Sequence, residues 1–188
     1  MELCLRGTLS ELIHHGTPRQ LDPLRVVPLA RGIARGLLHL HTRRPPILHR
    51  DVKPGNVLLG SGGVPKVADF GMSRFVGLAS GPRQGLGRAL SVGVIGTAAY
   101  GAPELMEEGA PGSAGARAAA GTDALKADVY SFGVLLWEML ARKRPHAGLD
   151  EFQIQTLWYL DPTALSLPPL RVPDGADAAT RHAMRVLQ

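Results

Sequence analysis

The sequence predicts a mainly α-helical fold with a small pair of β-hairpins, and three observations carry this prediction. Apolar residues recur every three or four positions from about Leu24 to Thr42, as on the buried face of an amphipathic helix. A second segment, residues 128–140, is apolar on almost every side, as expected of a helix buried in the middle of a domain. Between these segments lie short apolar runs, bounded by turn residues, that are typical of buried strands: Ile47-Leu48, Val57-Leu58-Leu59 and Val67-Ala68.

The composition fits one globular domain. The chain has 188 residues, of which 45% are hydrophobic, and its 23 glycines and 15 prolines are too few to indicate wholesale disorder. The single cysteine, Cys4, excludes an internal disulfide framework and a cysteine-rich zinc site. No apolar run approaches the roughly 18 residues of a membrane span, and no secretory signal is found. We therefore expect a cytoplasmic location, with a membrane-anchored parent protein as the alternative.

The net charge of +5 comes mostly from arginines, which are scattered along the sequence. Arg142-Lys143-Arg144 is the only short basic run, whereas a nucleic-acid site needs clustered basic residues with stacking aromatics. We expect no nucleic-acid partner.

Local signals place the remaining elements. Thr8, followed three residues later by Glu11, predicts a capping box at the start of a short helix. Prolines 45 and 46 end the long helix, in which His41 is interpreted as a packed residue and not as a ligand. Further helices are predicted at 151–160 and from about Asp177. Residues 109–122 have low complexity and read as an insertion that no packed core requires.

Four polar side chains lie between the apolar runs of 47–71: Asp51, Lys53, Asn56 and Asp69. Phosphoryl transfer uses a carboxylate that accepts a hydroxyl proton, hard oxygen ligands for Mg²⁺, and a cation that offsets phosphate charge. These four residue types fit those roles.

The segment His49-Arg50-Asp51, with Lys53 and Asn56 after it, resembles the catalytic loop of eukaryotic protein kinases. Asp69-Phe70-Gly71 and the segment 96–104, which reads G-T-A-A-Y-G-A-P-E, are similar to two further motifs of that family.

The resemblance implies the helical C-terminal lobe of a kinase, with the hairpins at the catalytic cleft and the N-terminal lobe absent. It implies a hinge at 1–7, a catalytic loop at 49–56, an activation segment at 69–104 and a central helix at 128–140.

The same resemblance implies ATP and Mg²⁺ as cofactors and assigns roles to individual residues. Asp51 would be the catalytic base, Lys53 would steady the γ-phosphate, and Asn56 and Asp69 would hold Mg²⁺. Thr97 would bridge Asp51 and Lys53. The adenine ring would contact the backbone of Glu2 and Cys4 and the side chain of Leu58.

Other residues are implied in regulation and structure. Arg50 would pair with a phosphate on the activation segment, where an upstream kinase or autophosphorylation would place it. The candidate acceptors are Ser73, Ser80 and Ser91, each with an ordinary exposed loop serine as the alternative. Asp128 would anchor the backbone of the His49-Arg50 turn, and an N-cap is the simpler interpretation. Glu104 corresponds to the glutamate of the family's A-P-E motif.

Lys53 with Thr97 is similar to the serine/threonine pattern, and residues 128–140 look like the tyrosine-kinase-like group. The implied function is phosphorylation of serine or threonine in a protein substrate. We expect the 188 residues alone to be inactive. The alternative is a non-catalytic C-terminal lobe that binds partner proteins as a scaffold.

Overall fold

The computed structural model describes residues 3–17, 21–76, 97–103 and 124–169. Several predictions fall outside these ranges: Glu2, Ser80, Ser91, Glu104, the insertion at 109–122 and the helix from about Asp177.

The described residues form a mainly helical structure. Its helices are α1 (Leu9–His15), α2 (Pro23–His41), α3 (Ala124–Ala141) and α4 (Glu151–Leu160). Short 3₁₀ turns lie at Pro54–Asn56, Ser61–Gly63 and Pro162–Leu165. The predicted helices at 24–42, 128–140 and 151–160 are each found, and the prediction of a helical fold with few strands is confirmed.

Side-chain caps fix where α1 and α2 begin. The hydroxyl of Thr8 accepts a bond from the Glu11 amide at 3.2 Å, and the Glu11 carboxylate accepts one from the Thr8 amide at 2.9 Å. The predicted capping box is therefore confirmed. Helix α2 begins after Asp22, whose carboxylate accepts a bond from the Arg25 amide at 2.8 Å.

Two short antiparallel pairs of strands follow α2. The strands are β1 (Ile47–Leu48), β2 (Val57–Leu59), β3 (Pro65–Val67) and β4 (Arg74–Phe75). Strand β2 pairs with β3, and β1 pairs with β4, which the sequence did not predict. The chain before α1 joins the edge of β2, because the Leu59 amide donates to the Gly7 carbonyl at 2.9 Å. Residues 7–8 therefore lie beside the hairpin formed by β2 and β3.

One core joins α1, α2, β2 and α3. Its fully buried members include Leu9, Ile13, Ile33, Val57, Leu135 and Met139. Helix α3 is less enclosed than its apolar sequence predicted, since Val129 is 60% and Tyr130 39% exposed.

The start of α3 corrects one interpretation of Asp128. The helix already includes Ala124, so Asp128 lies in its second turn and cannot be its N-cap. The four residues before Asp128, Ala124-Leu125-Lys126-Ala127, all favour a helical conformation. The helix therefore includes residues that precede the predicted range of 128–140.

Within the described ranges, no helix has both the length and the apolarity that a membrane crossing requires.

Candidate catalytic site

The turn after β1 is anchored by a carboxylate from α3. Asp128 is 1% exposed, and its two oxygens accept bonds from the backbone amides of His49 at 2.8 Å and Arg50 at 2.9 Å. The Nε2 atom of His41 lies 2.8 Å from the same carboxylate. Because all these groups are buried or nearly so, the bonds fix the position of the turn relative to the core.

The ring of His49 ties this turn to the one after β3. Its Nε2 lies 3.0 Å from the Ala68 carbonyl, and its Nδ1 accepts a bond from the Asp51 amide at 3.3 Å. The proton therefore sits on Nε2, since a carbonyl oxygen can only accept. The ring also contacts that of Phe70, with centroids 5.3 Å apart. His49 thus sets the spacing between the loop of Asp51 and the turn of Asp69.

The carboxylate of Asp51 is the centre of a four-residue cluster. One of its oxygens accepts bonds from Lys53 Nζ and Asn56 Nδ2, both at 2.8 Å. The other accepts bonds from the amide and the hydroxyl of Thr97 at 3.1 and 3.0 Å. Lys53 Nζ also donates to the Thr97 hydroxyl at 2.7 Å. The structure therefore brings together residues that lie up to 46 positions apart in sequence.

These contacts decide the charge of Asp51. Burial by itself raises the pKa of this carboxyl, but the hydrogen bond and positive charge of Lys53 lower it, with further lowering by Asn56 and Thr97. The net result is a pKa below the usual value. Asp51 is ionised at neutral pH and can act as a proton acceptor.

Asn56 and Asp69 supply a donor set that fits Mg²⁺. The amide nitrogen of Asn56 donates to the carbonyl and the carboxylate of Asp51, both at 2.8 Å, which fixes the direction of its side-chain oxygen. The backbone carbonyl of Asn56 accepts a bond from the Ala68 amide at 2.9 Å, and Asp69 is the next residue after Ala68, just beyond the end of β3. Asp69 is exposed, and one of its oxygens accepts a bond from the Gly71 amide at 3.2 Å. An amide oxygen and an accessible carboxylate are hard ligands of the kind that Mg²⁺ prefers.

Residues 1–165 match the protein kinase domain family. The chain belongs to the protein kinase family.

Similar proteins include the serine/threonine-protein kinase CTR1 of Arabidopsis thaliana, 34% identical over 154 residues and 81% of this chain. Mitogen-activated protein kinase kinase kinase 13-B of Xenopus laevis is 34% identical over 176 residues, or 93% of this chain. The G-type lectin S-receptor-like serine/threonine-protein kinase RKS1 of Arabidopsis thaliana is 38% identical over 141 residues, or 74% of this chain. The chain covers only 15% to 16% of the length of these three relatives.

These matches confirm the resemblance to a protein kinase domain, and the relatives support its placement in the tyrosine-kinase-like group.

Four other residues predicted from the sequence are described by the structure. Arg50 is 5% exposed, directly before Asp51. Ser73 is half-buried, and its hydroxyl donates to the His49 carbonyl at 3.3 Å. Leu58 is half-buried in β2, where it pairs with Thr8, and Cys4 is half-buried in the segment before α1.

Sequence reasoning missed a second carboxylate that α3 directs toward the segment 97–103. Glu138, 1% exposed, accepts a bond from the Tyr100 hydroxyl at 2.5 Å and lies 2.7 Å from His14 Nε2. Burial, together with the adjacent Glu138 charge, raises the pKa of Tyr100 far above its usual value, so the phenol stays protonated. The available signal was an acidic residue within an apolar helical segment.

A third carboxylate holds the same segment from α4. Glu151 Oε1 accepts a bond from the Ala98 amide at 2.5 Å, and Trp158 donates to the Ala98 carbonyl at 3.4 Å. Thr97 is thereby positioned by contacts on both sides, from the loop of Asp51 and from α4.

Proposed function

We propose that this chain is part of a protein kinase that transfers the γ-phosphoryl group of ATP to serine or threonine hydroxyls of a protein substrate. The observation that carries the proposal is the set of contacts that Lys53, Asn56 and Thr97 make with the Asp51 carboxylate.

Asp51 acts as the catalytic base. Its carboxylate is positioned by four donors, so it can orient an acceptor hydroxyl and take up its proton with little rearrangement. The ammonium of Lys53, 2.8 Å from this carboxylate, offsets negative charge on the transferred group.

Asn56 and Asp69 hold Mg²⁺ through an amide oxygen and a carboxylate oxygen. ATP with Mg²⁺ supplies the phosphoryl group and the cation that neutralises its charge. Glu2, Cys4 and Leu58 contribute to the adenine site.

Serine or threonine is the acceptor. The direct contact of Lys53 with Thr97 at 2.7 Å supports this assignment, as do the names of the similar proteins, two of which are called serine/threonine-protein kinases.

The chain corresponds to the C-terminal lobe of the domain, and an N-terminal lobe is needed to complete the nucleotide site. The proposed parts are the hinge at 1–7, the catalytic loop at 49–56, the activation segment at 69–104 and the insertion at 109–122. Phosphorylation of the activation segment, with Ser73, Ser80 and Ser91 as candidates, regulates activity through Arg50.

The test is Asp51→Asn in a kinase domain completed with an N-terminal lobe. We expect kcat toward serine and threonine peptides to fall by about 10²- to 10⁴-fold. The affinity for Mg·ATP should stay within about threefold, because the base contacts the acceptor and not the nucleotide. Steady-state kinetics measure the first quantity and calorimetry the second.

The matched control is Asp161→Asn, the same change at an exposed carboxylate in the turn after α4. It should leave both quantities unchanged. Equal losses of kcat and nucleotide affinity in Asp51→Asn would remove the base assignment, and a preference for tyrosine peptides would remove the acceptor assignment. A completed domain that folds but neither binds Mg·ATP nor transfers phosphate would favour the scaffold function.

A further inference from the structure

Helix α2 aligns basic residues that are separated in the sequence. Arg31, Arg35 and His39 are spaced four residues apart and all are exposed, and Arg43 continues the series directly after the helix. Residues four apart lie on one face of a helix, about 6 Å apart along its axis. The arginines that the sequence shows as scattered therefore form one line, here called the basic stripe.

The positive charge of the basic stripe is not compensated within its own helix. Helix α2 contains no aspartate or glutamate. Among the described residues, neither Arg31 nor Arg35 forms an ion pair or a side-chain hydrogen bond. Within the described part of the chain, the Arg43 guanidinium contacts the His39 ring, which adds no negative charge. A row of like charges that the fold leaves without counter-charges is suited to bind an anionic partner.

Three exposed apolar residues, here called the apolar ridge, lie on the same face of α2 as the basic stripe: Val27 is four residues before Arg31, and Leu24 and Leu38 are seven residues before and after it. Leu24, Val27 and Leu38 are 57%, 48% and 60% exposed, while the opposite side of α2 is packed in the core through Val26 and Ile33. The exposed face of α2 thus presents large apolar side chains next to a line of basic side chains. A ligand that carried negative charge alone would leave the apolar ridge uncovered.

We infer that the exposed face of α2 binds an acidic amphipathic segment of a partner protein. Carboxylates four residues apart on a partner helix have the same spacing of about 6 Å as the basic stripe, so two neighbouring carboxylates can meet the guanidinium groups of Arg31 and Arg35. The planar guanidinium can donate two parallel hydrogen bonds to a carboxylate. Apolar residues beside those carboxylates would cover Leu24, Val27 and Leu38. This inference is independent of the proposed catalytic function.

The geometry favours a protein segment over other anions. A membrane surface recruits an amphipathic helix by burying its apolar face, but the main apolar face of α2 is already in the core. Nucleic-acid sites combine basic residues with stacking aromatics, and the basic stripe and the apolar ridge contain no phenylalanine, tyrosine or tryptophan.

The probe is a synthetic helical peptide with glutamates at four successive positions spaced by four and leucines beside them. Binding to the full 188-residue chain is measured by fluorescence anisotropy at low salt. We expect Arg31→Gln with Arg35→Gln to weaken binding at least about tenfold, which is the effect of losing two charge-assisted pairs. Raising the salt concentration should weaken binding to the unmodified chain.

Two controls separate the basic stripe from the net charge of the chain. Lys143→Gln with Arg144→Gln removes two exposed charges elsewhere and should change the affinity less than about twofold. A peptide with glutamine in place of glutamate should bind the unmodified chain weakly.

The neutral double variant could lose affinity because it is misfolded. A variant in which the charges on the chain and on the peptide are both reversed distinguishes this case. Arg31→Glu with Arg35→Glu should bind a peptide with lysine in place of glutamate, and circular dichroism should show the same helicity in all variants.

The inference would be overturned if Arg31→Gln with Arg35→Gln and Lys143→Gln with Arg144→Gln lost equal amounts of affinity for the peptide, because binding would then depend on the net charge of the chain. Equal affinity for the glutamate and glutamine peptides would also overturn it. Tighter binding to vesicles rich in phosphatidylserine, or to single-stranded DNA, would assign the face to a different class of partner.

Discussion

Two charged residues of the site, Arg50 and Asp69, have positive φ angles of 71° and 62°. Residues other than glycine rarely adopt positive φ angles, because this conformation costs about 1–2 kcal/mol for each residue. The Arg50 turn is held by the Asp128 carboxylate, and the Asp69 carboxylate accepts a bond from the Gly71 amide. These bonds offset the cost, so the side chains of these two candidate site residues are directed by backbone conformations that the surrounding fold maintains.

His146, which follows α3, also has a positive φ, of 53°, and its burial lowers the pKa of its imidazole. The folded state therefore takes up this proton less readily than the unfolded state. Stability linked to neutral His146 is present above the unfolded pKa of about 6.5 and is lost as pH falls through the lower folded pKa.

We predict that His146→Asn makes stability less dependent on pH in this window, because asparagine tolerates positive φ and does not titrate. The melting temperature, measured from about pH 7.5 to pH 5 at matched ionic strength, should fall less steeply in the variant. His15→Asn, which removes an exposed histidine of α1, is the control. Identical pH profiles for His146→Asn and the unmodified chain would contradict the prediction.

At the scale of elements, α3 connects the core to the site. Its carboxylates at Asp128 and Glu138 are both 1% exposed, and their ten-residue separation places them about 15 Å apart along the helix. Asp128 holds the turn before Asp51, while Glu138 holds Tyr100, three residues after Thr97. One rigid helix thereby sets the distance between the two segments that meet at the Asp51 carboxylate.

We predict that Asp128→Ala lowers the free energy of unfolding by about 3 kcal/mol, because the His49 and Arg50 amides lose their acceptor in a buried place. The Asp128→Ala variant should also show faster amide hydrogen exchange at residues 49–51 than the unmodified chain. Ser131→Ala is the matched control on the same helix; its buried hydroxyl donates only to the Ala127 carbonyl, and its loss should cost about 1 kcal/mol or less. A similar decrease in the free energy of unfolding in both variants would argue against the anchoring role of Asp128.

At the scale of the whole molecule, the sequence predicted what local signals specify. The capping box at Thr8, the period of α2 and the residue types at Asp51, Asn56 and Asp69 are each readable within a short window. Strand β4 was missed because two residues, Arg74–Phe75, are too few to show a period and form a strand only by pairing with Ile47–Leu48.

The missed side-chain contacts have a related physical cause. The bond from Tyr100 to Glu138 spans 38 residues, and the bond from Ala98 to Glu151 spans 53. Such contacts depend on how separate elements pack together, and no periodic pattern in a single sequence encodes them.

Another connection of this kind, between residues even farther apart in sequence, joins the C-terminal ends of α1 and α3. The guanidinium of Arg142 donates to the carbonyls of Ile13 at 2.8 Å, Gly16 at 2.6 Å and Thr17 at 3.2 Å. These carbonyls lie at and beyond the end of α1, where a helix has no internal donors for them. Arg142 therefore satisfies the end of α1 and fixes it to α3 across 125 to 129 residues of sequence.

We predict that Arg142→Lys lowers the free energy of unfolding by about 1–3 kcal/mol, because an ammonium keeps the charge but cannot reach three separated acceptors as the planar fork does. In urea, the unfolding midpoint should fall while the slope stays unchanged. Arg144→Lys, the same change at an exposed position two residues later, should leave the midpoint unchanged. If both substitutions shift it equally, the three carbonyl bonds do not couple α1 to α3.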